Sequence, residues 1–358
     1  MHRTHLFPLV LLLLAAQPVA AESSARFRID PLAKVKIQGL SAKDIATFYA
    51  GVDAITNHLA SIPAVNTPAP PVCIALQREV FRVPLTPNQA QGKVNISYLA
   101  QMSGQTCRAA KIVNSSVEMN LNYAPFHNQN AGYSQDDAGW MLAPQTYTKL
   151  DDGLFLIQIR SRRYYVITRD REPALVPVTM ERYLKSAERK AQQQVEEAEQ
   201  AGQRHEEWVN DMHSQYGRNL EKADAKMRSM LATNIQQADK QNQELLAKAK
   251  APRDELRGRL ASLSPEQRAQ PACLEFLKGG LEENVTGGRC VAPALGLFAL
   301  NPALSKPGAD KGTLRYLVIE VLDGRHSTEA EHNHNHRTQL MEHFDFAALA
   351  RVLRSTGK

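Results

Sequence analysis

A stripe of mostly apolar and small side chains runs from Met180 to Ala249. It passes through Leu184, Ala187, Ala191, Val195, Ala198, Gly202, His205, Val209, Met212, Tyr216, Leu220, Ala223, Met227, Leu231, Ile235, Ala238, Asn242 and Leu245. The step averages about 3.6 residues, the straight α-helical period rather than the 3.5 of a heptad supercoil. Pro177 and Pro252 bound 74 residues without a proline. The pattern predicts a long, coiled-coil-like helical arm over residues 179–263, with Thr179 as its cap. Much of the stripe is alanine or glycine, so it buries little area alone and needs a close partner helix. That partner is the arm's own second half folding back near Ser214 to Asn219, a second copy of the chain, or a foreign helix. The unbroken phase through Gly217 favours one straight rod, on the order of 100 Å long, with Gly202 and Gly217 as its weakest points.

Before the arm, residues 22–178 alternate as a small α+β domain. Arg26 to Ile37 reads as a strand or extended lead-in. Ser41 with Asp44 makes a capping box for a helix whose face is Ile45, Phe48, Tyr49, Val52, Ile55 and Leu59. Pro63, Pro68, Pro70 and Pro71 then predict an extended connector. Strands are expected at Val72–Val83, Val94–Leu99, Arg108–Tyr123, Leu154–Arg160 and Arg163–Thr168, the last two joined as a hairpin. Ala124–Gly139 reads as an exposed loop.

After the arm, Pro252 is expected to start a new helix carrying Leu256, Leu260 and Leu263, and Ser264-Pro265 another. Cys273–Cys290 reads as a glycine-rich stapled loop. Thr313–Leu322 is a strand, and Asp345 caps a last helix with Leu349, Val352 and Leu353. One strand and one helix cannot close a core, so residues 264–358 are expected to pack on the amino-terminal domain. The fold class is α+β: a small mixed antiparallel sheet domain with a long helical arm or hairpin inserted before a carboxy-terminal strand and helix.

Compartment follows from the first residues. Arg3, an apolar segment from Leu6 to Ala16 and small residues ending at Ala21 read as a cleavable signal peptide over residues 1–21. The apolar core is about half the roughly 20 residues a spanning helix needs. The mature chain is expected to carry no transmembrane helix and to be periplasmic or secreted. Its four cysteines fall in two local pairs, Cys73 with Cys107 and Cys273 with Cys290, expected as disulfides; no pair has the close spacing of a zinc knuckle.

The net charge of +6 arises mainly before the arm, where Arg160, Arg162, Arg163, Arg169 and Arg171 cluster. That cluster is a solvated turn or an anion site. The arm mixes both signs, which argues against nucleic acid. Chemistry is sparse. His332, His334 and His336 alternate with asparagine, and an extended backbone would aim all three imidazoles at one Zn²⁺, Ni²⁺ or Cu²⁺, with Glu329, Glu331 or Glu342 adding a carboxylate. His326 and His343 flank them. No nucleophile elbow, zinc helix, phosphate loop or dinucleotide fingerprint is present. The pairs Asp136-Asp137 and Asp151-Asp152 sit in turn-like contexts. Trp208 beside the stripe marks a wider buried face or a contact surface. The leading expectation is a non-enzymatic exported protein whose arm serves self-association or partner binding. The alternatives are a divalent-metal carrier using the histidine loop, and a hydrolase with a site assembled from scattered residues.

Overall fold

The computed structural model describes residues 26–83, 89–101, 107–108, 116–126, 140–221, 225–276, 283–291, 294–305, 310–325 and 329–356. The expected signal peptide, His326, Asp136-Asp137 and most of the expected Ala124–Gly139 loop lie outside them. The helices are α1 (Ala42–Ala60), α2 (Pro63–Asn66), α3 (Met180–Glu221), α4 (Ala225–Ser262), α5 (Pro265–Ala269), α6 (Glu331–Glu342) and α7 (Phe346–Ser355). The strands are β1 (Phe27–Ile29), β2 (Ile74–Val80), β3 (Gly92–Tyr98), β4 (Ala100–Gln101), β5 (Cys107–Arg108), β6 (Ser116–Leu121), β7 (Trp140–Leu142) and β8 (Thr146–Asp151). They continue with β9 (Leu154–Ile159), β10 (Arg162–Thr168), β11 (Leu175–Pro177), β12 (Ala272–Phe276), β13 (Glu283–Gly287), β14 (Leu295–Leu300) and β15 (Tyr316–Leu322).

Eight strands make the main sheet in the order β1-β2-β3-β6-β15-β10-β9-β8. β1 pairs with β2 in parallel, and every other neighbour is antiparallel. The carboxy-terminal strand β15 therefore sits in the middle, between β6 and β10. Its side chains alternate between two cores. Leu317, Ile319 and Val321 face a layer built from Phe48, Val52, Ile55 and Leu59 of α1 and Leu349 and Leu353 of α7. Tyr316 and Val318 face the other way, against Leu175, Leu300 and Leu304. This two-sided burial explains why β15 reads as a nearly continuous apolar run.

A second sheet covers part of that other face. β14 pairs with β11, β12 and β7, and β12 pairs with β13. Phe298 and Leu300 point to the main sheet, while Leu297 and Ala299 point outward to the root of the arm. Helical layer, main sheet, second sheet and arm root thus stack in that order.

Local chemistry sets the element ends. Ser41 and Asp44 form the expected capping box on α1. The expected extended connector instead begins with α2, where Pro63 occupies the first helical turn and loses no needed donor. The β9–β10 hairpin turns at Arg160, which takes φ 54° without a glycine. Gly153 in the β8–β9 turn has φ 74°, and a Cβ there would lie 2.8 Å from the Thr168 carbonyl oxygen. The expected loop between Cys273 and Cys290 is instead the β12–β13 hairpin, with Cys273 opposite Thr286. Its bridge is present: Cys273 and Cys290 are bonded, with Cα atoms 5.3 Å apart. Cys73 is also disulfide-bonded; the side chain of Cys107, its expected partner, lies outside the described set.

Candidate functional site

The arm is two antiparallel helices, α3 and α4, not one rod. Arg257 Nε donates to Glu188 Oε1 at 2.6 Å and Arg253 Nη1 to Gln192 Oε1 at 3.4 Å. Further out, Lys250 pairs with Glu199 at 3.9 Å and His205 Nε2 with Asp239 Oδ1 at 3.0 Å. The residue numbers rise on one helix as they fall on the other, which is the signature of a hairpin. The expected new helix at Pro252 is corrected as well, since α4 runs through it. Pro252 is exposed, so water can take the Lys248 carbonyl that a proline nitrogen cannot bond, and the interruption stays local.

The hairpin is rooted in the second sheet. Val178, directly after β11, donates to the Leu297 carbonyl and accepts from Ala272 of β12. Thr179 caps α3 by accepting from Arg182 N at 3.2 Å, and Met180 N donates to Gln270 O at 2.8 Å. Above the sheet Met180, Tyr183 and Leu184 pack with Leu256, Leu260 and Leu263, and Trp140 lies under Tyr183 with ring centroids 5.8 Å apart.

Burial then fades along the arm. Ala191, Val195 and Ala198 are still buried on α3; past Ala198 no described arm residue is, and α4 has none at all. A cavity of about 830 Å³ opens between the helices, lined among others by Ala198, Gly202, His205, Val209, Ile235 and Leu246. Trp208 is 47% exposed, Leu245 51%, and Met227 and Met230 59% each. His205 stacks on Trp208 at 5.7 Å.

The histidine segment is helical rather than extended, so His334 is turned away from the side that His332 and His336, four residues apart, have in common. α6 buries Asn333, Arg337, Leu340 and Met341 instead. Arg337 Nε and Nη2 donate to Glu329 Oε1 and Oε2 at 3.1 and 2.9 Å, a buried bidentate pair. His334 Nδ1 lies 3.2 Å from Arg337 Nη2. His336 Nδ1 lies 3.0 Å from the Tyr98 hydroxyl. Burial keeps that phenol protonated and lowers the imidazole below its ordinary value, and the imidazole also bonds the Ala64 backbone. With the phenol protonated and the imidazole neutral, Tyr98 donates to Nδ1. With His58, His343 and Asp345, His336 lines a cavity of about 670 Å³ between α1–α2 and α6–α7. Among the described residues no three histidine, cysteine or carboxylate side chains are grouped to hold a metal ion.

The arginine cluster disperses into pairs. Arg162 meets Glu320, Arg163 meets Asp323 and Arg171 meets Asp152, while Arg169 bonds carbonyls at the end of α7, among them Leu353 and Thr356. The burial of Asn333 and Arg337 was readable in principle. With Leu340 and Met341 they keep the i, i+4, i+7, i+8 spacing of one helical face, disguised because half of it is polar. No family model, curated protein or solved structure matches this chain. Among the described residues no helix is long and apolar enough to cross a membrane.

Proposed function

We propose that the protein is an exported, non-enzymatic docking protein whose helical hairpin associates with the hairpin of a second copy. The carrying observation is the under-filled distal arm, where Trp208, Met227, Met230 and Leu245 are exposed and a groove opens between the two helices. A hairpin this long gains too little from its own seam to account for its outer half. Charge favours a second copy as the occupant. α3 carries nine acidic and six basic residues, and α4 four acidic and eight basic. In a two-fold, four-helix arrangement with α3 and α4 alternating round the square, each acidic helix borders two basic ones. Export is supported by the apolar leader from Leu6 to Ala16 and by the Cys273–Cys290 bridge.

Charge reversal tests the pairing. Replacing Glu197, Glu206 and Glu207 by lysine is expected to abolish self-association, and mixing that protein with a Lys240→Glu, Lys248→Glu chain is expected to restore it as a heterodimer. Reversal without effect on mass would overturn the reading.

A further inference from the structure

The cavity of about 670 Å³ between α1–α2 and α6–α7 lies on the body of the protein, apart from the arm. Its size is that of a small-molecule site. Solvent reaches it, because Ser61, Ala64, Gln339, His343 and Asp345 of its lining are exposed, while Leu340 and Phe344 are buried. Much of the wall is apolar, supplied by Ile62, Pro63, Ala64, Leu340, Phe344 and Ala348. The polar part is three imidazoles, His58, His336 and His343, with Gln339 and the Asp345 carboxylate. His336 is already engaged with Tyr98 and the Ala64 backbone. The side chains of His58, Gln339 and His343 make no hydrogen bond among the described residues. The hydroxyls of Ser61 and Thr67 donate to the carbonyls of His58 and Pro63 at 2.6 and 2.8 Å, which leaves their lone pairs free to accept.

Charge decides what such a wall takes. Asp345 is the one carboxylate in the lining, and among the described residues no lysine or arginine lines it. Burial lowers His58, with Asp345 raising it and Arg351 lowering it, and burial lowers His336 as well, so these two imidazoles are uncharged at neutral pH. Arg351 reaches Asp345 Oδ2 only at 3.8 Å and is 70% exposed, a contact that water screens. The backbone adds to the same sign. α1 ends at Ala60 and α6 at Glu342, and the last turn of each borders the cavity with the negative end of its dipole. The opposing N-termini are that of α7, which Asp345 itself caps, and that of the single turn α2.

We propose that this cavity is a binding site for an amphipathic organic amine, one ammonium group on a compact apolar or aromatic body. Asp345 Oδ1 is held by Ala348 N at 2.8 Å, and Oδ2 is left for the ammonium, a charge-assisted bond. The uncharged His58 ring accepts a second ammonium proton. The apolar body covers Ile62, Leu340 and Ala348, and the Phe344 ring offers a face that favours a cation. A carboxylate ligand of the same shape would meet Asp345 and two negative helix ends. A polyamine would hold its further charges against an apolar wall with no partner for them.

The test is calorimetric titration of the full chain with two amines, 3-phenylpropylamine and cyclohexylmethylamine, and with 3-phenylpropanol and 3-phenylpropanoate as uncharged and anionic matches for the first. Saturable binding of at least one amine is expected, with the alcohol weaker than 3-phenylpropylamine and the carboxylate not bound. Asp345→Asn keeps an N-cap acceptor for α7, so the fold should hold while amine affinity falls roughly ten-fold, the equivalent of about 1.4 kcal/mol. Ala64→Phe, at an exposed position of α2, should fold and abolish binding by filling the cavity, and it decides the matter should Asp345→Asn not fold. No saturable binding of either amine at millimolar concentration would overturn the proposal. So would 3-phenylpropanoate binding as tightly as 3-phenylpropylamine, or wild-type amine affinity in either folded variant.

Discussion

Met180 N donates to Gln270 O at 2.8 Å, joining the first residue of α3 to the segment that leads into β12. The two ends of an excursion of about ninety residues are thereby one ladder step apart. A hairpin whose feet continue two strands bonded to β14 is aimed by the sheet. Its outer part adds nothing to that aim. Excising residues 199–250 and closing the gap with a short turn should leave the thermal midpoint of the body within a few degrees of the intact chain, because the buried seam ends at Ala198. A large loss of stability by calorimetry would show that the distal arm packs on the body.

The Tyr98–His336 contact should make the protein acid-sensitive. Burial lowers both His336 and His58, with Asp345 opposing the shift at His58. As pH falls through about 6.5 the unfolded chain takes up these protons before the folded one. Stability is therefore full above that pH and declines below it, until the folded imidazoles themselves titrate. His336→Leu should cost about 1–3 kcal/mol at neutral pH by stranding the Tyr98 hydroxyl, and should flatten the decline between pH 6.5 and 5. Urea unfolding at both pH values checks this; an unchanged acid slope would place the proton uptake elsewhere.

Glu329 and Arg337 form the most deeply buried ion pair among the described residues, each 3% exposed. Glu329→Ala leaves a guanidinium uncompensated and should destabilise by roughly 3–5 kcal/mol. A Glu329→Leu, Arg337→Met double variant should recover much of that loss. Equal midpoints for the single and double variants would mean that the charge is not what the site stabilises.

Asn122 sits at the end of β6 with φ 53°. Its Nδ2 donates to the carbonyls of Ala90 and Thr313 at 3.0 Å each, and its Oδ1 accepts from Arg315 N at 2.7 Å. Asn122→Ala should therefore cost about 2–4 kcal/mol, by unmaking buried bonds and straining a left-handed residue. Asn122→Gly should recover only the backbone part. Chemical denaturation of the pair separates the two contributions.

What the sequence revealed follows from where its periodicities are local. α1, the arm, the β9–β10 hairpin, β15 and α7 each carry their own apolar pattern with caps or turns at the ends. Rod and hairpin were not separable that way. Each leg of a hairpin presents a 3.6-residue seam, so the phase running from Met212 to Leu231 says nothing about direction. The second sheet was missed because β7 and β11 are three residues each and meet β12–β14 from more than a hundred positions away. Alternating His332, His334 and His336 looked like a strand because the buried side of α6 is half polar.

Self-association through the hairpin is the central claim, and mass in solution tests it most directly. Sedimentation equilibrium of the full chain, against the same chain lacking residues 199–250, should give twice the single-chain mass for the first and the single-chain mass for the second; the 358-residue chain is 39.8 kDa. A full chain that stays at single-chain mass into the high micromolar range would contradict the account.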